Sequence, residues 1–218
     1  MTYTGHTEVG GPAQVRELPA LALSKLAVGP ANNNAYLLRC RRTGTQLLVD
    51  AAAEPDRLAD LIGTGGLETV VTTHSHRDHW TALADVVAST GARTVAHSID
   101  ADDIGVPTDV RIHDGDVVTV GDVTLRAIHL VGHTPGSIAL LYDDPEGHPH
   151  LFTGDCLFPG GPGNTGGDST RFASLMADLQ TKVFDVLPDE TWIYPGHGDD
   201  TTLGAERPQL DQWRERGW

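Results

Sequence analysis

Residues 73–79, which read Thr-His-Ser-His-Arg-Asp-His, constrain this chain more than any other part of its sequence. Imidazole nitrogens and carboxylate oxygens are good ligands for zinc and similar divalent metals. On an extended chain, residues two apart face the same side, so His74, His76 and Asp78 share one face. His79 follows at the bend. One tetrahedral ion does not easily accept four ligands from so short a run, so the spacing favours ligands divided between two adjacent ions.

Three further ligand candidates follow apolar runs, and each lies beside or close to glycine. His133 lies in Gly-His-Thr-Pro-Gly, Asp155 ends Leu-Phe-Thr-Gly-Asp, and His197 lies in Pro-Gly-His-Gly. Glycine allows the backbone to approach a site closely or to adopt a positive φ. The three settings therefore predict side chains at strand ends that complete the ligand set begun by residues 73–79.

In this order, the four motifs resemble those of the metallo-β-lactamase superfamily, and most closely its glyoxalase II branch of thioester hydrolases. The resemblance extends from about Asn32 to His197. It implies an α/β (α+β) fold, the αββα sandwich, in which two mixed sheets are flanked by helices and the metals lie at one edge between the sheets. The resemblance also implies two ligand sets: His74, His76, His133 and Asp155 for a first divalent ion, and Asp78, His79, Asp155 and His197 for a second.

The resemblance to glyoxalase II predicts a dinuclear metal-dependent hydrolase. Two neighbouring divalent ions can share a water and lower its pKa from about 15.7 toward neutrality, so that a metal-bridging hydroxide attacks a small acyl-thioester. Zinc is the expected metal, with iron and manganese as alternatives. Asp78 is both a ligand and a candidate proton acceptor. Asp50, at the end of the strand Leu47-Leu48-Val49, resembles a family aspartate that orients the metal-binding loop, although a strand-end turn would also suit an aspartate.

Other functions stay open on the sequence alone. A mononuclear iron persulfide dioxygenase of the same superfamily would use two histidines and one carboxylate, for which His76, His133 and Asp155 are candidates. A lactonase or lactamase is a second alternative, and a non-catalytic metal-binding protein is a third. The complete second ligand set favours the dinuclear hydrolase.

Composition limits the partners. The net charge of −15 argues against a surface that follows nucleic-acid phosphates. The two cysteines, Cys40 and Cys156, indicate no disulfide framework and fit a reducing compartment. No signal-peptide core and no apolar run of membrane-spanning length is present. We therefore expect a cytoplasmic enzyme of a small-molecule substrate with no nucleic-acid or membrane partner, whose oligomeric state the sequence leaves open.

The predicted organisation is a flexible N-terminal tail over residues 1–14 and one domain over residues 15–218. Glyoxalase II enzymes carry a C-terminal helical domain, which we do not expect here because the chain ends soon after His197. A loop with five glycines and two prolines, Pro159–Gly167, follows the Asp155 strand. Its position predicts a role in substrate access, with a simple flexible linker as the alternative. Apolar periodicity predicts helices over residues 54–62, 80–90, 171–187 and 203–216.

Overall fold

The apolar, β-branched runs of the sequence form the strands of two main sheets in the computed structural model, which describes residues 2–217. The first sheet contains, in spatial as well as chain order, β1 (Gln14–Glu17), β2 (Leu21–Val28), β3 (Asn33–Cys40), β4 (Gln46–Val49), β5 (Thr69–Val71), β6 (Arg93–His97) and β7 (Val110–Ile112). Strands β1 to β4 pair antiparallel, and β4 to β7 pair parallel, so this sheet is mixed.

The second half of the chain supplies the other sheet. The strands in this half of the chain are β8 (Val117–Val120), β9 (Val123–His129), β10 (Ile138–Tyr142), β11 (His150–Gly154), β12 (Leu157–Phe158), β13 (Gly161–Pro162), β14 (Trp192–Pro195) and β15 (Thr201–Thr202). The sheet order is β15-β14-β11-β10-β9-β8, while β12 and β13 form a separate small hairpin. Only β11 and β14 pair parallel within this sheet, as far as the described residues show.

Helices cover the outer faces of both sheets. They are α1 (Pro55–Ile62), α2 (Leu83–Thr90), α3 (Ser169–Asp178), α4 (Leu203–Glu206) and α5 (Leu210–Arg216). One buried cluster, with Leu38 and Phe152 among its members, lies between the sheets. A second joins the first sheet to α1 and α2, and a third joins the second sheet to α3 and α5. The four layers confirm the αββα sandwich. Both cysteines are buried and free of disulfide bonds.

Two predicted helices are interrupted. The helix expected over residues 171–187 begins at Ser169, where the Asp168 carboxylate accepts hydrogen bonds from the backbone of Thr170 and Arg171, and it changes to a π-helical turn over Leu179–Phe184. The C-terminal helix contains a 3₁₀ segment, Arg207–Gln209, because Pro208 cannot donate an α-helical hydrogen bond. Among residues 2–217, no helix combines the length and the apolar composition that crossing a bilayer requires.

The N-terminal segment, for which the sequence predicts a flexible tail, contacts the sandwich through Tyr3 and Gly5. The Tyr3 hydroxyl donates to Asp200 Oδ2 at 2.6 Å, and the Tyr3 ring meets the Trp192 ring edge-on at 6.2 Å between centroids. The buried Lys25 ammonium donates to the Gly5 carbonyl at 2.6 Å. The polar composition of the segment does not reveal these distant partners. Met1, the first residue of the predicted tail, and Trp218, the last residue of the predicted domain, lie outside the described residues.

Strand direction brings the candidate ligands to one edge of the sandwich. Strands β4, β5 and β6 run parallel, so their carboxyl ends lie together, and Asp50 and the histidine-rich segment follow two of them. Backbone hydrogen bonds then join the two sheets at this edge: Ile138 N–H donates to the Thr73 carbonyl at 3.0 Å, and Asn34 N–H donates to the Gly196 carbonyl at 2.7 Å. These contacts place the ends of both sheets side by side.

Candidate metal centre

Three histidines direct ring nitrogens toward one point. His74 Nε2 lies 3.1 Å from His76 Nδ1 and 3.2 Å from His133 Nε2. A single ring nitrogen cannot form good hydrogen bonds to two other ring nitrogens at once, because it carries either one proton or one lone pair in the plane of the ring. Ligand nitrogens of a tetrahedral zinc ion lie roughly 3.3 Å apart, given Zn–N bonds of about 2.0–2.1 Å. The spacing therefore fits three ligands of one metal ion.

A second group forms next to the first. His79 Nε2 lies 3.1 Å from His197 Nε2, and Asp78 Oδ2 lies 3.4 Å from His197 Nε2 and 3.7 Å from His79 Nε2. His79 is buried, whereas the side chain of Asp78 is 45% exposed. This second group also fits a metal ion, because two imidazole nitrogens and one carboxylate oxygen converge. One side of the group is open to solvent.

Asp155 lies between the two groups. Its Oδ1 is 3.3 Å from His79 Nε2, and its Oδ2 is 3.5 Å from His133 Nε2 and 3.3 Å from His197 Nε2. Burial favours the neutral acid, but the neighbouring His197 and His79 rings hold the pKa of Asp155 well below its usual range. Oδ1 is nevertheless a buried oxygen with no well-aligned hydrogen-bond donor among the described residues. An ionised carboxylate in this place suits a ligand shared by two cations.

The ring nitrogens that do not face the centre are occupied by other groups. His133 Nδ1 contacts the Asn164 carbonyl at 2.7 Å, and His197 Nδ1 contacts the Ala31 carbonyl at 2.9 Å. Each carbonyl can only accept, so each Nδ1 carries the proton and each Nε2 presents its lone pair to the centre. Such contacts orient metal-binding histidines and fix their tautomers.

Asp50 orients one histidine in each group. Its Oδ2 accepts from His79 Nδ1 at 2.8 Å and from Thr73 Oγ1 at 2.8 Å, and its Oδ1 accepts from the Thr73 N–H at 2.8 Å. The Thr73 hydroxyl, having donated its proton to Asp50, can accept from His74 Nδ1, which lies 3.0 Å away. Asp50 is buried and has φ +60°, an uncommon backbone conformation held by these three hydrogen bonds.

The two carboxylates beside His79 oppose the effect of its burial. Burial alone would lower the pKa of this imidazole, but the charges and hydrogen bonds of Asp50 and Asp155 raise it to about 10. The pKa of His74 lies well below its usual range, first because of burial and then because of the neighbouring His79.

Two parts of the site were not expected from the sequence. Asn33, at the start of β3, donates from its Nδ2 to Asp78 Oδ2 at 3.0 Å. The loop Pro159–Gly167 is neither a linker nor simply an access loop. It includes the hairpin of β12 and β13, its residues 161–163 are buried, and it supplies the Asn164 carbonyl that orients His133.

Gly163 is the position in this loop that tolerates no side chain. A Cβ there would lie 1.7 Å from the Asp155 carbonyl oxygen and 3.3 Å from His133 Nδ1. We expect Gly163→Ala to lower the free energy of unfolding by roughly 1–3 kcal/mol and to reduce metal content. The added methyl group would displace both Asp155 and the His133 ring. Urea unfolding and elemental analysis of the purified variant measure the two effects.

Gly160→Ala is the matched control in the same loop. Gly160 has φ +84°, and a Cβ added to it would have no other atom within 4 Å. Alanine there should cost about 1–2 kcal/mol through backbone conformation alone and leave metal content unchanged. Wild-type metal content in Gly163→Ala would contradict the close packing of the loop on the centre.

Comparisons with known proteins agree with this geometry. The family model described as "Metallo-beta-lactamase superfamily" matches residues 28–197, which contain every candidate ligand. The chain belongs to the metallo-β-lactamase superfamily. Relatives named hydroxyacylglutathione hydrolase match it, including one from Polaromonas sp. that is 38% identical over 167 residues, covering 74% of this chain and 60% of the relative. The glyoxalase II-like resemblance predicted from the motifs is thus confirmed.

Solved members of the superfamily share the fold. ETHE1 from Myxococcus xanthus is 29% identical with a TM-score of 0.74, and the match covers 85% of this chain and 81% of that one. TTHA1623, solved in a di-iron-bound form, is 31% identical with a TM-score of 0.69, covering 84% of this chain and 96% of that one. The chain spans about 60% of the length of the Polaromonas relative, so the activity of the whole relative does not transfer automatically.

Proposed function

We propose that this superfamily member is a dinuclear metal-dependent hydrolase of small acyl-thioesters. One observation carries the proposal: two groups of converging ligand atoms lie side by side, with the Asp155 carboxylate between them. The first site would use His74, His76, His133 and Asp155. The second would use Asp78, His79, His197 and Asp155. Zinc fits the nitrogen-rich donors, and the di-iron form of TTHA1623 makes iron the first alternative.

The metals would supply a water of lowered pKa and polarisation of a carbonyl oxygen. The residues of this chain determine from which side a substrate can reach the metals. His76 is exposed and Asp78 is partly exposed, whereas His74, His79 and Asp155 are buried, so substrate reaches the centre from the side of the exposed pair.

Asp78 is the candidate proton acceptor. Burial tends to raise the pKa of its carboxyl, but the hydrogen bond from Asn33 and the neighbouring His79 bring the net pKa below its ordinary value. The carboxylate is therefore ionised at neutral pH, partly solvent-exposed and held in place, which suits a group that takes a proton at the open side of the centre.

The thioester assignment rests on the relatives. Several carry the name hydroxyacylglutathione hydrolase at 31–38% identity. We extend the substrate class to this chain as an acyl-thioester and leave the thiol half for experiment.

A mononuclear iron persulfide dioxygenase is the second candidate. His133 Nε2 and Asp155 Oδ2 lie 3.5 Å apart, which fits two members of the predicted set of two histidines and one carboxylate. A mononuclear centre leaves the converging group of Asp78, His79 and His197 without a role, and for this reason we favour the dinuclear hydrolase.

We expect two metal ions per chain after metal-replete expression, measured by elemental analysis, together with hydrolysis of thioesters. Thioesters that share one acyl group but differ in the thiol, glutathione among them, should be compared by kcat/KM. The ratio between esters measures how much the thiol half contributes to recognition.

The same samples test the alternative. One tightly held iron per chain, with oxygen consumed when a persulfide is added, would replace the proposal with the dioxygenase. Two bound ions with no cleavage of any thioester would retain the metal centre and reject the substrate class.

A further inference from the structure

Asp100 is a buried aspartate outside both ligand groups, and its side chain contacts residues next to three of the proposed ligands. It follows β6 and has only 1% of its surface exposed. Oδ2 accepts from the Ser75 N–H at 2.8 Å and from Thr134 Oγ1 at 2.6 Å, and Oδ1 accepts from the Gly136 N–H at 2.7 Å. Nothing in the motifs around residues 73–79 or 132–137 points to this residue.

The donors belong to the two segments that carry the three-histidine group. Ser75 lies between His74 and His76, and Thr134 directly follows His133. Asp100 thus joins two loops that are far apart in the chain, with partners 25, 34 and 36 residues away in sequence.

The backbone carbonyl of Ser75 also accepts a hydrogen bond from a side chain. The Trp80 indole N–H donates to the Ser75 carbonyl at 2.9 Å, while Asp100 accepts from the Ser75 N–H. The residue between two ligands is therefore held by side chains at both its N–H and its carbonyl.

A simple turn former would pair its side chain with the backbone two or three residues away. Asp100 does form a turn through its own N–H, which donates to the His97 carbonyl at 3.1 Å. Its carboxylate, however, accepts all three hydrogen bonds from the ligand loops. One buried side chain thus accepts hydrogen bonds from both loops, so this contact can set the distance between them.

We propose that Asp100 is a positioning residue that sets the spacing of His74, His76 and His133 and thereby the metal affinity of this group. The inference rests on the proposed metal centre. Groups that orient metal ligands without touching the metal typically change metal affinity by 10–100-fold when they are replaced.

The test uses Asp100→Asn, which keeps the size of the side chain but replaces one acceptor oxygen with an NH₂ group facing a donor. Zinc affinity of the metal-free protein is measured by competition with a chromogenic chelator, both alone and with His197→Ala, which weakens the second group. We expect a loss of about 10–100-fold at the three-histidine group. Excess zinc should restore turnover toward the wild-type value, because no group that touches substrate has been removed.

Asp109→Asn is the matched control. Asp109 Oδ2 accepts from the N–H and the hydroxyl of Thr94, at 2.9 and 3.0 Å, at the opposite end of β6 from the ligands. This substitution should affect thermal unfolding but not zinc affinity. If Asp100→Asn behaves like Asp109→Asn, losing only thermal stability, the positioning role is refuted.

Gly136→Ala provides a second route if Asp100→Asn does not fold. A Cβ at Gly136 would lie 2.5 Å from Asp100 Oδ1 and 2.7 Å from the Asp100 backbone nitrogen, so alanine displaces Asp100 from the two loops without removing its carboxyl group. Gly136→Ala should lower zinc affinity, as Asp100→Asn does, and unchanged affinity would count against the proposal. A wild-type protein that binds no zinc would instead refute the metal centre itself.

Discussion

Asp155→Ala should lower kcat by three orders of magnitude or more, which corresponds to about 4 kcal/mol in the barrier. The reason is that Asp155 lies between the two ligand groups, 3.3 Å from the ring nitrogens of both His79 and His197 and 3.5 Å from that of His133. Removing it takes one ligand and one negative charge from both proposed sites. Steady-state kinetics and elemental analysis of the same preparation give rate and metal content together.

Two comparisons make this result specific. His197→Ala should lose chiefly the second ion, since His197 belongs to only one group. Asp144→Ala removes another buried aspartate, which contacts Tyr142 and the Glu146 N–H, and it should keep both ions. Metal content and kcat near wild type in Asp155→Ala would contradict its place as a shared ligand.

Lys25→Met should lower the free energy of unfolding by about 3–5 kcal/mol, because it leaves one partner of a buried ion pair without the other. The Lys25 and Asp200 side chains are 0% and 1% exposed, and Nζ lies 2.6 Å from Asp200 Oδ1. Burial lowers the pKa of Lys25 and raises that of Asp200, although each charge opposes the shift of the other. The Lys25 ammonium also donates to the Gly198 carbonyl at 2.7 Å, directly after His197.

Lys182→Met is the natural comparison, because Lys182 is the only other lysine of the chain. Its ammonium pairs with Asp178 at 3.1 Å, but the side chain is 31% exposed, so the loss should stay at about 1 kcal/mol or less. Urea unfolding of both variants measures the difference. Equal losses would show that burial of the Lys25 pair does not matter to stability.

The proposed ligands were accessible to sequence analysis for a local reason. His74, His76, Asp78 and His79 lie in one short run, and their spacing alone brings their side chains together. The other three ligands could be selected because glycine and an apolar run flank each of them. Alternation and apolar content likewise predicted most strands, since each strand buries side chains along its own length.

The tertiary structure decided which distant groups hold those ligands. Neither Asp100, Asn33 nor the Asn164 carbonyl carries a local signal, because each acts on a segment at least 25 residues away. The contacts of Tyr3 and Gly5 carry no local signal either, because their partners Asp200 and Lys25 lie in other strands and loops. A short ligand motif thus determined by itself the chemistry that the chain can support. Only the folded arrangement of two sheets determined how the ligands are oriented, because hydrogen-bond partners depend on contacts between segments and not on their order in the sequence.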